Sequence, residues 1–272
     1  MNNSLNKSFG LVLLNYNTFS DVADSIASFR CIDINDVHPI IIVDSCSTDQ
    51  SGLEAVRSLM RPLDELYLLE SNVGFAKGNN FGIKVLEEKG YTHSYVFNPD
   101  VNFSNLDFYE IYGSALMHKA SIVDSIVNGT RYIFRRGTVF SMIHSSNKME
   151  SFDQGLLESY RFNGCAFLVN NRDFFSVGGF DESTFLYCEE LIFSEKCYQA
   201  GLVVVNNDNF RIRHDFGGSV LKYFRFRKYK HMYIGLYIYL TRYRKVSQVS
   251  STVIAFFSVL RQVCVNIVKR NL

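Results

Sequence analysis

YVFNPDV, residues 95–101, decides the fold, because it reads as a buried strand that stops abruptly on a carboxylate. Tyr95, Val96 and Phe97 favour a strand. Pro99 cannot donate to a sheet ladder and holds Asn98 extended, so the chain leaves the sheet there with Asp100 at its end. A carboxylate just past a central strand lies where open α/β sheets bind ligands, and its oxygens suit a divalent cation that bridges to phosphates. Asn-Pro-Asp alone is also an ordinary turn, so the flanking segments must decide.

Toward the N-terminus the same pattern repeats. Apolar runs at 9–14, 40–43 and 66–69 end on polar turns: Asn15-Tyr16-Asn17, Asp44 with its hydroxyl-rich loop, and Asn72-Val73-Gly74. Between them lie helical patterns, one capped by Ser20 with Val22, Ile26 and Phe29 on a face, one carrying Leu53, Val56 and Met60, and one opened by Gly74 and stopped by Gly90. Three alternations predict a parallel sheet with helices on both faces and right-handed crossovers. All these turns then share one sheet edge, where Tyr16, Asp44, Gly74 and Asp100 converge.

Beyond Asp100 the pattern changes. A helix is expected over 106–119. Residues 121–160 are mixed, with β-like pieces at 122–127, 132–134 and 139–143 and a polar, acidic loop, and predict an antiparallel addition that carries acceptor specificity. Another buried strand is expected at 164–169. Gly178-Gly179-Phe180-Asp181-Glu182 reads as a turn, Tyr187-Cys188-Glu189-Glu190 opens a helix that Gly201 ends, and 203–205 and 211–214 read as two short strands.

With 272 residues, 47% of them hydrophobic, the chain is long enough for one large domain with an appendage. The net charge of +1 hides an asymmetry: residues 216–272 carry eleven basic and no acidic residues, which leaves 17 basic against 27 acidic in the rest. Six cysteines without a CxxC pair or zinc spacing point to reduced thiols in a cytosolic protein. No signal peptide is expected, and no apolar stretch is read as reaching the roughly 18 residues that span a bilayer.

LLNYN (13–17), IVDSCSTDQS (42–51), NVGFAKGNNFGI (72–83), FNPDV (97–101), NGCAFLV (163–169), VGGFDESTFLYCEEL (177–191) and the Arg213-His214 to Ser219 run resemble, in order and spacing, the inverting, metal-dependent glycosyltransferases of family 2, with a GT-A fold and rhamnosyltransferase-like members. The resemblance implies that Asn15, Tyr16 and Asp44 hold the nucleoside of a nucleotide sugar, that Asn72, Gly74 and Asn79 line its diphosphate and sugar, and that Asn98 and Asp100 stand in the Asp-x-Asp metal motif, with Asn in the first position. It implies His214 as a further ligand of Mn²⁺ or Mg²⁺. The catalytic base of the family sits in a Glu-Asp pair, here Glu189-Glu190, which places the base at Glu190 with Glu189 as second choice; an acidic residue usually found shortly after is Ile192. Read by themselves, Asp44 also suits a turn cap, His214 a packed histidine, and Glu189-Glu190 an acidic helix start. An inactive sugar-nucleotide-binding or scaffold protein is the alternative reading. A nucleotidyltransferase is disfavoured, because no glycine-rich, lysine-containing N-terminal loop is present.

This divides the chain into a catalytic domain, 1–219, and a C-terminal extension, 220–272. The extension interleaves aromatic and basic residues without any RNA-binding motif, so no nucleic-acid partner is expected. Val249, Val253, Phe256, Phe257, Leu260, Cys264, Ile267 and Val268 then fall on one side of a helix. Such a stripe suits the membrane interface, packing on the catalytic domain, or a homo-oligomer. The expected setting is cytoplasmic, at the inner face of the plasma membrane, with a saccharide or lipid-linked saccharide acceptor in surface polysaccharide synthesis.

Overall fold

The computed structural model describes residues 8–33, 37–103, 106–130, 156–214 and 227–268. The expected pieces at 132–134 and 139–143, most of the acidic loop, and Gly217-Gly218-Ser219 lie outside them. The first half runs β1 (Phe9–Asn15), α1 (Phe19–Ile32), β2 (Ile40–Asp44), α2 (Leu53–Leu59), β3 (Glu65–Leu68), α3 (Gly74–Glu88) and β4 (His93–Phe97). Then follow β5 (Val101–Asn102), α4 (Phe108–Met117), β6 (Ile122–Val127), β7 (Leu156–Glu158), β8 (Ala166–Asn170), α5 (Asn171–Ser176), α6 (Glu189–Ala200) and β9 (Val204–His214). Helix α7 (Arg227–Ile238), a π-helical turn (Tyr239–Tyr243) and α8 (Gln248–Val268) close the described chain.

The sheet order is β3-β2-β1-β4-β8-β6-β9-β5, with β7 also on β9. Strands β3, β2, β1 and β4 are mutually parallel, as the alternation requires. Strand β8 runs antiparallel to β4 and β6, β9 is parallel to β6, and β5 and β7 are antiparallel to β9. The antiparallel addition is thus present, and β6 matches the expected 122–127. The two short strands expected at 203–205 and 211–214 are one strand, β9, because a register shift opposite Asp124 to Ile126 lets the ladder to β6 continue through the polar residues between them.

Side-chain alternation on the strands builds two cores. Leu11, Leu13, Ile40, Ile42, Tyr95 and Phe97 meet Val22, Ile26 and Phe29 of α1, Val56 of α2 and Phe108 and Ile111 of α4. On the other face Val12, Ile41, Val43 and Val96 meet Ala76, Ile83 and Leu86 of α3, Phe174 of α5 and Phe193 of α6. Both faces are covered, which is why the central strands β1 and β2 are apolar up to their terminal Asn15 and Asp44. Helix α1 begins one residue before Ser20, with Thr18 at its N-cap.

A third cluster joins Leu191 and Ile192 of α6 to Leu236, Ile238, Tyr239, Leu240 and Ala255 of the C-terminal helices. Ile192 is fully buried in it. Helix α8 corrects the expectation about apolar length. Gln248–Asn266 is 19 residues, long and apolar enough to cross a membrane. Polar Ser258, Arg261 and Gln262 interrupt the run in sequence without lowering its mean hydropathy below that level.

Candidate active site

The carboxyl ends of β1, β2 and β4 and the start of α3 surround an open cleft. Its wall includes Leu14, Tyr16, Ser45, Asn72, Gly74, Phe75, Asn98, Pro99 and Asp100, and Phe185 and Leu186 close it from the segment before α6. The rim is built around the start of α3. Asn72 Oδ1 accepts from the Gly74 amide at 3.0 Å and from the Ser45 hydroxyl at 3.1 Å, and Ser45 Oγ accepts from the Val73 amide at 2.9 Å. Gly74 has φ +77°, and a Cβ there would lie 2.3 Å from the Phe185 carbonyl oxygen, which also accepts from the Phe75 amide at 2.8 Å. Only glycine fits that conformation and that approach.

Asp100 and His214, 114 residues apart, meet at 3.1 Å between Oδ1 and Nε2. The contact follows from register: β5 pairs Val101 with His214 at the end of β9. Asn128 fixes the His214 backbone by donating to its carbonyl at 2.8 Å and accepting from its amide at 3.0 Å. The pair fits a divalent ion, since two adjacent ligands at about 2.1 Å on an octahedral centre lie about 3 Å apart. Among the described residues no group of three or more His, Cys, Asp and Glu converges, so an ion held here takes its other ligands from phosphate, water or amide oxygens.

The carboxylates Glu189 and Glu190 open α6 behind two consecutive residues in the left-handed region, Tyr187 (φ +76°) and Cys188 (φ +72°). Their fates differ. Glu189 is 1% exposed, and burial, then the neighbouring Glu190 charge, push its pKa well above the usual carboxylate range. Its Oε1 has no hydrogen-bond partner among the described residues. Glu190 is half-buried and lies against Gly164, where a Cβ would come within 2.7 Å of its Cγ and Oε1. Gly164 and Cys165 join this carboxylate to the metal-ligand pair: the Cys165 carbonyl accepts from the Asn98 amide at 2.8 Å, and the charges of both Asp100 and Glu190 reach its thiol, whose pKa burial has already raised.

Tyr16, Asn72, Gly74, Asn98 and Asp100 therefore share the cleft; His214 reaches it through its contact with Asp100, and Glu190 lies against Gly164, next to the Cys165 carbonyl that the Asn98 amide binds. Three expected residues stand beneath the cleft instead. Asn15 donates to Asp44 Oδ1 at 2.7 Å and accepts from the Thr18 amide and hydroxyl. Asp44, 2% exposed, accepts from Asn15, the Ser47 amide and the Ser47 hydroxyl, and so shapes the β2 turn. Asn79 is buried on the underside of α3 and donates to the Phe75 carbonyl at 3.1 Å. Its neighbour Asn80 ties α3 to the Phe180 backbone by two hydrogen bonds of 3.0 and 2.9 Å, a role that sequence reasoning missed.

Also missed was Asp124, fully buried on β6. It accepts from the amides of Ser125 (2.8 Å) and Asn163 (3.0 Å) and from the side chains of Asn163 (3.2 Å) and Asn206 (2.8 Å), which fixes the turn that leads to Gly164. Asn163 was quoted only as part of a motif. Phe185 and Leu186 carry no sequence signal that separates cleft wall from core.

A scan of known protein families finds no match to the chain. The low-salt glycan biosynthesis hexosyltransferase Agl10 of Haloferax volcanii is 24% identical over 199 residues, which cover 70% of this chain and 60% of that protein. The chain thus spans about three fifths of the relative's length. Among solved structures, GalNAc-T7 with UDP, GalNAc and Mn²⁺ superposes with a TM-score of 0.63 at 12% identity, over 88% of this chain and 51% of that one. S. aureus TarS residues 1–349 with UDP gives 0.57 at 15% identity, over 91% and 69%. The architecture built up above is the GT-A fold of these glycosyltransferases.

Proposed function

We propose that the chain is an inverting, metal-dependent glycosyltransferase of the family 2 type. It moves a sugar from a nucleoside diphosphate to a saccharide or lipid-linked saccharide in surface polysaccharide assembly, of the O-antigen or capsule kind. The observation that carries this reading is the Asp100–His214 contact at a cleft that Asp100 shares with the start of α3, with Glu190 against Gly164 beside the Cys165 carbonyl that binds the Asn98 amide. The relative that is a hexosyltransferase, the UDP in two neighbours and the Mn²⁺ in one support it. dTDP-rhamnose is the first donor to test, from the sequence resemblance, and UDP-hexoses the second.

Tyr16 offers the base an aromatic wall, and Asn72 and Gly74 line the cleft where the diphosphate would lie. Asp100 and His214 would hold Mn²⁺ or Mg²⁺, the imidazole favouring Mn²⁺. When bound, the ion supplies charge that stabilises the departing diphosphate. Glu190 takes the acceptor proton while the acceptor oxygen attacks the anomeric carbon from the face opposite the nucleotide.

The test is donor consumption across a panel of UDP- and dTDP-sugars, with Mn²⁺ and with EDTA, in the parent and in Asp100→Ala. One donor is expected to be consumed, in a metal-dependent way, with loss of about a hundredfold or more in the variant. Nucleotide binding without consumption of any donor would instead identify the non-catalytic binding protein that Asn98 and the Glu189-Glu190 pair leave open.

A further inference from the structure

Helix α8 is held by its small residues and shows its large ones. Ser251 and Ala255 are fully buried, and Ser258 and Val259 half-buried, on the side that meets α7 and the π-helical turn. The far end is tied down as well, since Asn266 donates to the Tyr229 hydroxyl of α7 at 3.1 Å. The opposite side presents Val249, Val253, Phe256, Phe257, Leu260 and Cys264, with Phe256 56% and Phe257 61% exposed. This is an exposed apolar stripe of the size that marks an interaction surface. Charge selects the occupant. The helical unit has no acidic residue, and Arg227, Lys230, Arg242, Lys245 and Arg261 are exposed on it. Two copies facing through this stripe would oppose like charges, whereas an anionic lipid surface complements them. One side of α8 is already covered by α7, so the helix lies along a bilayer instead of crossing it.

We propose that this stripe docks the protein on an anionic membrane surface, the inner face of the plasma membrane, with Phe256 and Phe257 in the acyl boundary. The test is sedimentation of the full chain with vesicles of phosphatidylcholine alone or mixed with phosphatidylglycerol. Binding to the mixed vesicles that weakens in high salt is expected, with a loss of about tenfold or more in Phe256→Ser/Phe257→Ser. Because both side chains are exposed, that variant keeps the parent's thermal unfolding. Absence of binding to mixed vesicles, equal binding by parent and variant, resistance of bound protein to alkaline extraction, or a dimer that the double variant dissolves would each overturn the proposal.

A separate observation concerns the inner helix of this unit. One face of α7 sits on the turn that carries the carboxylate pair. His231 stacks on Phe185, a wall of the cleft, with ring centroids 4.7 Å apart. One helical turn on, a Cβ at Gly235 would lie 2.6 Å from the Tyr187 carbonyl oxygen and 2.9 Å from Cys188 Cβ. Consecutive non-glycine residues in the left-handed region persist only where their surroundings over-determine them, and Gly235 admits the helix that does so.

The geometry points to Gly235 as a positioning residue for Glu190, an inference that rests on Glu190 being the base. Gly235→Ala should lower kcat per folded molecule about tenfold or more, with the donor KM near the parent's and some loss of thermal stability from the new Cβ against the Tyr187 carbonyl. Gly113→Ala, at a helical glycine with open space, should leave kcat unchanged. His231→Ala, which leaves the α7 backbone in place, should raise the donor KM severalfold by releasing Phe185. A parental kcat in Gly235→Ala beside an inactive Glu190→Gln overturns the positioning role alone, as does a Gly235→Ala that loses kcat only in proportion to folded protein. An active Glu190→Gln overturns the base assignment beneath it.

Discussion

In the parallel half of the sheet, β3-β2-β1-β4, strands β1, β2 and β3 are each followed in sequence by a helix, α1, α2 and α3. In the added half, β8-β6-β9 with β5 and β7, neighbours come from far apart: β6 pairs residues 122–127 with 204–212 of β9. The first half is stabilised by local apolar alternation, and its polar groups sit at strand ends. The second buries polar groups within its strands, with Asp124 and Asn206 paired across β6 and β9. Tyr16, Asn72, Gly74 and Asp100 follow strands of the first half. The second supplies His214 and, through α6, Glu190, so under the proposed function catalysis depends on registers that the first half does not set.

The sharpest way to break this contrast is Asp124→Ala, which strands four donors, two of them in buried hydrogen bonds, and should destabilise the fold by about 3 kcal/mol in urea unfolding. A loss below about 1 kcal/mol would mean that the added half does not lean on this carboxylate.

Acid should act on the parallel half. Burial on β4 pushes the His93 pKa from 6.5 down to about 4. The folded state then resists protonation that the unfolded chain accepts, so this contribution is present above pH 6.5 and is lost as pH falls toward 4. It amounts to about 3 kcal/mol. His93→Gln should flatten that decline in a pH series of unfolding curves; an unchanged slope would exclude His93 as its source.

Gly74→Ala forces a Cβ against the Phe185 carbonyl at positive φ, and a loss of about 2 kcal/mol with weaker nucleotide binding is expected from calorimetry. Parental affinity would show that the seam between the halves tolerates movement there. The smallest effect tests the opposite pH limb. Burial raises the Glu189 pKa in the folded state, so its contribution is full below its ordinary value of 4.5 and falls as pH rises toward its raised folded pKa. Glu189→Gln should remove a decline of at most about 1.4 kcal/mol per pH unit, visible as a flatter thermal-unfolding series above pH 4.5.

The same division explains what the sequence disclosed. Tyr16, Asn72, Gly74 and Asp100 were legible because each follows an apolar run whose period and length identify a strand, and strand ends of one parallel sheet share an edge. Asp100 and His214 met as expected, but the Val101–His214 register that joins them is long-range and leaves no local mark. Asn15, Asp44 and Asn79 belong to the right turns and helix while their side chains point inward to close backbone donors and neighbouring strands, a choice of rotamer and packing that spacing does not encode. The face of α8 was read correctly as one stripe. That its Ser251–Ala255 side is the packed one follows from α7, whose close approach favours small residues.

The central claim is that groups from both halves act in one cleft, and Glu190→Gln assayed for turnover and for nucleotide binding on the same preparation tests it most directly. A fall in kcat of roughly a thousandfold with the nucleotide Kd within about twofold of the parent is predicted, because base and nucleotide would be held by different halves. Undiminished turnover, or loss of nucleotide binding in step with activity, would contradict it.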